Sequence, residues 1–240
     1  MGFFDKFKKK VTETPPVTEP KATLTPEPQA APASAPEAVT IGWDAIEQEF
    51  LRVYPGQTSP KHYGTLIKWK FGGNDPLDGI SIYDGGDFFH FVTFGLSEIY
   101  EKECENPEIS GYGYEMTLKL KKSCIAPGNE EAEIKNICGI LQTIARITFN
   151  NNEVFLPDEF IYTGQTAGMD AKQQSLITGF ITVKDPTVET INTPNGRVEF
   201  LELIGMTDAE LKTLSKKDTV RAIYEQLGSD LTDYSRASIV

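Results

Sequence analysis

The chain has 240 residues, of which 39% are hydrophobic and 24% are charged, and its formal net charge at pH 7 is −12. This length predicts one domain of ordinary size with some additional chain. An acidic surface repels phosphate backbones, so the charge argues against nucleic acid as a partner. An apolar run of about 18 residues is absent from the sequence, which argues against a transmembrane helix.

The first forty residues differ in composition from the rest. Residues 1–11, which begin MGFFDKFKKK, place three Phe on one helical face with Lys around them. This pattern predicts a short basic amphipathic segment that contacts an anionic membrane or a partner protein, with a frayed tail as the alternative. Residues 12–40 contain seven of the fifteen prolines, which predicts a disordered Pro/Ala/Thr-rich linker. Residues 41–240 are therefore expected to form the folded domain.

The number and spacing of the cysteines predict the cellular compartment of the protein. Cys104, Cys124 and Cys138 form an odd set with no paired spacing. Cys138 falls on the apolar stripe of a predicted helix, which favours a reduced, partly buried thiol and a cytoplasmic protein.

One helix and two strands are predicted at the start of the domain. The spacing of Trp43, Ile46 and Phe50 predicts a helix that ends before Pro55. Residues 65–71, TLIKWKF, alternate between apolar and polar side chains, which predicts a half-buried strand. Residues 80–83, ISIY, are expected to form a short strand between glycine-rich turns.

Two longer strands follow. Residues 88–94, FFHFVTF, are apolar on both faces, as in a central strand. Residues 111–122, GYGYEMTLKLKK, alternate strictly. This alternation predicts apolar side chains facing inward and polar ones facing outward, the polar set being Glu115, Thr117, Lys119 and Lys121.

The second half of the domain begins with the strongest helical pattern, over residues 129–149, within which Gly139 is expected to pack closely on the sheet. Short strands are predicted over 153–157, 160–164 and 175–186. A hairpin is expected around the turn Thr193-Pro194-Asn195-Gly196. A capping box at residues 207–210 opens a helix through about residue 215, and a last helix runs from about 218 to 227.

These elements are interspersed without strict βαβ alternation. The predicted fold class is therefore α+β, with a mixed, largely antiparallel β-sheet and helices packed against it.

The stretch FGGNDPLDGISIYDGG, residues 71–86, does not match the pattern of a ligand-binding loop. Its acidic residues do not fall in the register of an EF-hand, and no Glu closes the loop. A phosphate-binding loop would open a helix and carry Lys with Ser or Thr, whereas this loop is acidic and opens a strand. Gly72-Gly73 and Gly85-Gly86 are therefore interpreted as tight turns.

No catalytic, metal or cofactor site is predicted. His62, His90 and the three cysteines lack the spacing of a zinc site. His90 lies in an apolar strand, where a hydrogen-bonded core histidine is expected. An uncharacterised enzyme that uses His90, Asp84 or Asp87 near the glycine turns stays as an alternative.

Several long motifs in a fixed order nevertheless resemble a known family. The motifs GGNDPLDGISIY, FVTFGLSE, SGYGYEMTLKLKK and TPNGRVEFLELIGMT are similar to those of the Suppressor of fused domain. The resemblance runs from about Trp43 to Leu211, which is nearly the whole predicted domain.

The resemblance implies a non-enzymatic protein-binding module. The animal relatives hold transcription factors of the Hedgehog pathway in the cytoplasm, and their partner peptide joins the sheet as an added strand. A cleft tyrosine of the family maps to Tyr100. A cleft aspartate has no counterpart here, because the loop reads ENPEISG; Asn106 and Glu108 are the candidates to replace it.

A single-domain version with a low-complexity tail resembles the bacterial branch of the family. Members of that branch resemble immunity proteins, which bind and neutralise polymorphic toxins. The acidic charge suits a basic toxin, although solubility alone also explains it. The predicted partner is another protein, a toxin or a regulatory partner. A scaffold tethered to a membrane by residues 1–11 is a further alternative.

Overall fold

The computed structural model describes residues 40–240. The predicted amphipathic segment 1–11 and all but the last residue of the predicted linker 12–40 lie outside the described residues. The helices are α1 (Ile41–Val53), α2 (Glu130–Asn151), α3 (Asp208–Leu211) and α4 (Lys217–Leu227). The strands are β1 (Lys61–Gly64), β2 (Gly79–Asp84), β3 (Phe88–Phe94), β4 (Ile109–Lys121), β5 (Glu159–Ile161), β6 (Ile177–Lys184), β7 (Ile191–Thr193) and β8 (Gly196–Thr207).

The strands form one sheet in the order β1-β2-β3-β4-β8-β6-β5, with β7 paired to β8. The pairing of β4 with β8 is parallel, and the other strand pairs are antiparallel. This arrangement confirms the predicted α+β fold with a mixed, largely antiparallel sheet. None of the helices in residues 40–240 is long and apolar enough to cross a membrane.

Helices cover both faces of the sheet. Helix α2 packs on one face through a stripe that includes Ile137, Leu141 and the 9% exposed Cys138. On the other face, α1 covers one end of the sheet, and α3 and α4 cover the other. The central strands are therefore buried on both sides, which is the arrangement that an apolar strand such as β3 requires.

Most predicted elements are confirmed. Helix α1, strands β2, β3 and β6, the β7–β8 hairpin and helix α4 lie where the sequence placed them. Thr207 and Glu210 form the predicted capping box at α3, and Gly228 ends α4 with a left-handed conformation.

The prediction for β4 was wrong on one face. Glu115, Thr117 and Lys119 were expected to point into solvent, but each is at most 1% exposed. They lie on the face covered by α1, α3 and α4. An alternating pattern normally means that one face is solvated, and here the polar face carries a buried polar cluster instead.

Three smaller predictions were also wrong. Residues 65–71 are not a strand: the chain bends at residues 66–67 and then forms a single 3-10 turn (Trp69–Phe71). Leu66 and Phe71 are exposed. Residues 153–157 are coil that ends in a turn, without strand pairing. Gly139 does not pack closely on the sheet, since a Cβ atom added there would have nothing within 4 Å.

Candidate functional site

A cleft of about 270 Å³ lies beside the segment Gly95–Glu101, which follows β3. The apolar part of its lining comes from this segment and from α2, β4 and the 3-10 turn. Its main lining residues are Lys68, Trp69, Asp78, Leu96, Ile99, Tyr100, Tyr112 and Phe149. We call this feature the cleft, and we call residues 95–100 the cleft wall.

Glu115, on β4, forms hydrogen bonds with the first half of the cleft wall. Its side chain is fully buried, and its carboxylate accepts hydrogen bonds from the backbone N–H groups of Gly95 (3.0 Å) and Ser97 (2.8 Å). The hydroxyls of Ser97 (2.7 Å) and Thr93 (2.6 Å) donate to the same carboxylate. Burial raises the pKa of Glu115 to about 7, although these four donors act in the opposite direction.

The positive φ of Gly95 lets the cleft wall turn sharply away from β3. Its φ is +132°, and a Cβ atom there would lie 3.0 Å from the backbone nitrogen of Asp78. Any other residue would therefore be strained and crowded at this position.

Asn195, in the β7–β8 turn, holds the second half of the wall. It is 2% exposed, and its Nδ2 donates to the backbone carbonyls of Glu98 (2.7 Å) and Tyr100 (2.8 Å). Between these two contacts, the carbonyl of Ile99 accepts a hydrogen bond from the backbone N–H of Trp43 (3.1 Å). The TPNG turn thus fixes the backbone of the wall, and the turn is itself predicted from sequence.

Tyr100 and Lys68 supply polar groups to the cleft. The Nζ of Lys68 lies 3.7 Å from the centroid of the Tyr100 ring, donates to the Tyr100 hydroxyl, and pairs with Asp78 at 3.3 Å. Burial raises the pKa of Tyr100, and its hydrogen bond with Lys68 opposes that effect. The tyrosine is therefore a neutral hydrogen-bonding group at neutral pH.

Asn106 and Glu108 lie outside the lining of the cleft. Both are exposed, and the Oδ1 of Asn106 accepts a hydrogen bond from the N–H of Glu108 (2.9 Å). The carbonyl of Glu108 accepts from the N–H of Arg197 (2.9 Å), at the start of β8. Of the three residues predicted to bind a partner, the structure places Tyr100 in the cleft and the other two on the neighbouring loop.

The acidic side chains Glu98, Glu101 and Glu103 also line the cleft. Glu98 accepts hydrogen bonds from the N–H groups of Glu103 and Cys104. Its pKa is lowered, because these bonds and others outweigh the effect of burial. The cleft therefore presents negative charge next to an apolar floor.

A second polar cluster is largely buried. His90 is fully buried, as predicted; the hydroxyl of Tyr54 lies 2.7 Å from its Nδ1, and Asp185 lies 3.0 Å from its Nε2. Lys119 makes ion pairs with Asp185 (3.2 Å), Glu202 (2.9 Å) and the partly exposed Asp230 (2.7 Å). Burial lowers the pKa of His90 and raises that of Glu202. We call these residues the buried ionic cluster.

The structure does not bring the enzyme candidates together. Asp84 is exposed and pairs with Lys122 (2.5 Å), Asp87 is exposed, and His90 contacts residues of the buried ionic cluster. In the described part of the chain, no group of three or more His, Cys, Asp or Glu side chains is arranged to hold a metal ion.

Sequence reasoning missed Glu115 and Asn195 as site residues. Both lie inside the long motifs SGYGYEMT and TPNG, so the motifs themselves carried the signal. Residue types did not reveal their roles, because an alternating strand and a hairpin turn already explained a Glu and an Asn at these positions.

A family model and two known proteins are similar in sequence to this chain. The family model of Suppressor of fused protein (SUFU) matches residues 73–237. The chain is 29% identical over 219 residues to a Suppressor of fused homologue from Mus musculus and 30% identical over 187 residues to one from Homo sapiens. These matches cover 81% and 71% of this chain but 43% and 36% of the mouse and human proteins.

Solved structures are similar as well. A chain of the Sufu–Fu complex crystal structure matches with a TM-score of 0.70 and 26% identity, covering 83% of this chain and 93% of that one. Drosophila Suppressor of Fused matches with a TM-score of 0.70 and 27% identity, covering 86% of this chain and 54% of that one. A homologue from Neisseria gonorrhoeae, 13% identical with a TM-score of 0.51, covers 82% and 96% of the two chains and shares the fold.

Proposed function

The chain belongs to the Suppressor of fused family, and we propose that residues 41–240 are a non-enzymatic module that binds another protein at the cleft. One observation carries this proposal: the motifs FVTFGLSE, SGYGYEMT and TPNG, which are distant in sequence, meet at one cleft wall. The Sufu–Fu complex, in which a similar chain occurs, supports a protein partner.

The cleft is suited to an extended peptide. Trp69, Tyr112 and Phe149 are partly exposed and offer apolar contact. Tyr100 and Lys68 offer a hydroxyl and an ammonium group within one small area. A peptide that binds here would bury apolar side chains and place its polar groups against the Lys68–Tyr100 pair.

We further propose that the partner peptide adds a strand to the sheet. Strand β1 is the outermost strand on one side, and it leads directly into the segment that supplies Lys68 and Trp69 to the cleft. Strand addition uses the backbone groups of such an edge, while nearby pockets select the side chains.

Within this class, the more specific proposal is an immunity protein of the bacterial branch that neutralises a toxin in the cytoplasm. The net charge of −12 and the acidic residues along the cleft favour a basic partner, since complementary charge speeds encounter. The free thiols Cys104, Cys124 and Cys138 are consistent with a reducing compartment.

The test is binding of the full chain to the purified products of its neighbouring genes, measured by pull-down and calorimetry. We expect a stoichiometric complex with one basic protein and loss of that protein's toxicity. Tyr100→Ala should weaken the complex at least about 10-fold, and the exposed control Leu176→Ala should leave it unchanged. Failure of every neighbouring product to bind the wild-type chain would overturn the toxin role.

A further inference from the structure

We propose that Glu115 is the positioning residue of the cleft: its buried carboxyl group replaces the strand pairing that β3 loses, and so it holds the cleft wall in its binding shape. The relevance of this role to partner binding rests on the function proposed above. The structural claim stands on the geometry of Glu115 alone.

The first observation is where the pairing of β3 with β4 ends. The register of these antiparallel strands runs from Phe88↔Lys121 to Val92↔Thr117. Beyond Thr117 the ladder does not continue, although β4 extends back to Ile109. On the side that faces β4, the backbone groups that follow Val92 therefore need other partners, because a buried N–H without one is costly. On the other side, Thr93 and Phe94 stay paired with β2.

The second observation is that the side chains of Thr93 and Glu115 supply hydrogen-bond partners where the β3–β4 ladder ends. The hydroxyl of Thr93 accepts a hydrogen bond from the N–H of Met116 (2.9 Å) and donates to Glu115 (2.6 Å). The carboxylate of Glu115 then accepts from the N–H groups of Gly95 and Ser97. Together with the hydrogen bond from the backbone N–H of Tyr112 to the carbonyl of Leu96 (2.9 Å), these contacts let the chain leave β4 and open the cleft while the N–H groups of Gly95 and Ser97 stay paired.

The third observation concerns the two carboxylate oxygens. Three donors, the N–H of Gly95, the N–H of Ser97 and the hydroxyl of Ser97, converge on Oε1. Oε2 accepts from the Thr93 hydroxyl, a group that can also act as an acceptor. A glutamine can therefore reproduce the arrangement, with its carbonyl oxygen at the Oε1 position and its NH₂ group directed to Thr93. An alanine cannot.

The experiment measures hydrogen–deuterium exchange of the full chain by mass spectrometry, with no partner present. In Glu115→Ala we expect amide exchange in residues 95–101 to accelerate at least about 10-fold, while β6 (Ile177–Lys184) changes less than about 2-fold. Glu115→Gln should keep exchange at or below the wild-type rate, because it retains the hydrogen bonds and removes a buried ionisable group. Glu133→Ala is the matched control, since Glu133 is also buried and accepts one backbone N–H, that of Ala171.

Thr93→Val provides a milder variant that removes one of the four donors. It is measured in parallel, so that a result is obtained where Glu115→Ala does not fold. It should accelerate exchange in residues 95–101 more than Glu133→Ala does. Uniform acceleration across the whole domain, or exchange in Glu115→Gln as fast as in Glu115→Ala, would refute the positioning role.

The outcomes separate the two proposals. Exchange is measured without a partner. An unexpected exchange result therefore overturns the positioning role of Glu115, whereas the binding function is tested separately by the pull-down and calorimetry. If exchange behaves as expected, the same variants are compared for binding to the neighbouring-gene product. Glu115→Gln should bind like the wild type and Glu115→Ala at least about 10-fold more weakly. Equal binding by both would show that the wall's shape does not matter for the partner.

Discussion

Glu115 and Lys119 lie on the same face of β4 and are both buried, yet different contacts stabilise them. Glu115 receives only uncharged donors, so its charged form is disfavoured by burial. Lys119 faces three carboxyl groups, which favour its charged form against burial and raise its pKa. Truncating either side chain to alanine leaves buried polar groups without partners, but the two residues respond differently to pH and to neutralisation of their charge.

The first prediction concerns pH and Glu115. Its pKa in the folded state is about 7, above the ordinary value of 4.5. The stabilising contribution of this group is therefore fully present below about pH 4.5 and is lost as the pH rises through about 7. Glu115→Gln should remove this dependence, gaining up to about 3 kcal/mol relative to the wild type between pH 5 and 8. Urea unfolding of both proteins across this range measures the difference, and parallel curves would contradict the prediction.

The second prediction concerns the charge of Lys119. Lys119→Met keeps an unbranched side chain, one atom shorter, but leaves Asp185, Glu202 and Asp230 without their cation. Removing one partner of a buried ion pair costs about 3–5 kcal/mol. Lys121→Met is the control, because Lys121 lies two positions away and is 38% exposed in its pair with Asp233. It should cost less than about 1 kcal/mol in the same chemical unfolding assay.

At the scale of elements, the β7–β8 hairpin has a role beyond pairing. Its turn residue Asn195 fixes the carbonyls of the cleft wall, while Lys102 donates to the carbonyls of Asn195 (2.7 Å) and Ile109 (2.8 Å). The hairpin, the wall and the start of β4 are therefore joined by side chains that bond to backbone. Such contacts fix a loop without extending the sheet.

The third prediction tests this junction. Asn195→Asp keeps the shape of the side chain but replaces its donating NH₂ group with an oxygen that faces the carbonyls of Glu98 and Tyr100. We expect a loss of about 1–3 kcal/mol in the free energy of unfolding. Asn192→Asp changes an exposed residue of the same hairpin and should have little effect. Equal melting temperatures of the two variants would contradict the proposed junction.

At the scale of the whole molecule, residues 1–40 and residues 41–240 differ in charge and in apolar content. The charge imbalance lies on residues 41–240, which contain 18 basic and 30 acidic residues, while residues 1–40 sum to zero. The three apolar clusters, one under α2 and two on the opposite face, all lie within residues 40–240. Because of this buried apolar surface, we expect residues 40–240 to fold independently.

The fourth prediction follows from that division. A protein that begins at residue 40 should unfold at the same urea concentration as the full chain, within about 0.5 kcal/mol, because the buried clusters are retained. A markedly lower midpoint for the shorter protein would show that residues 1–39 contribute to the stability of the domain.

The fifth prediction concerns the basic segment. If residues 1–11 form a membrane contact, the full chain should co-sediment with liposomes that contain anionic lipid, and deletion of these residues should abolish it. Neutral liposomes are the control, since they lack the electrostatic contribution. Identical behaviour of the two proteins would exclude this segment as a membrane contact.

Much of the fold could be predicted from the sequence, because local patterns decide local structure. The apolar spacing of α1 and α2, the run FFHFVTF and the capping box at Thr207 each gave the correct element. The failures were at residues 65–71 and 153–157, where alternating or apolar residues lie in coil or in a single turn. Periodicity over a few residues does not reveal whether a neighbouring strand is available for pairing.

The sequence by itself determined the family, the fold class, the helices and most strands of this protein, because long motifs and hydrophobic periodicity are properties of the chain alone. Only the tertiary structure decided that the polar face of β4 is buried, that Glu115 and Asn195 meet at the cleft wall, and that Asn106 and Glu108 lie outside the cleft. The reason is that burial and contact depend on which elements pack together. The hydrogen bonds between Glu115 and the wall span about 20 residues, those of Asn195 span more than 90, and no local pattern encodes such distances.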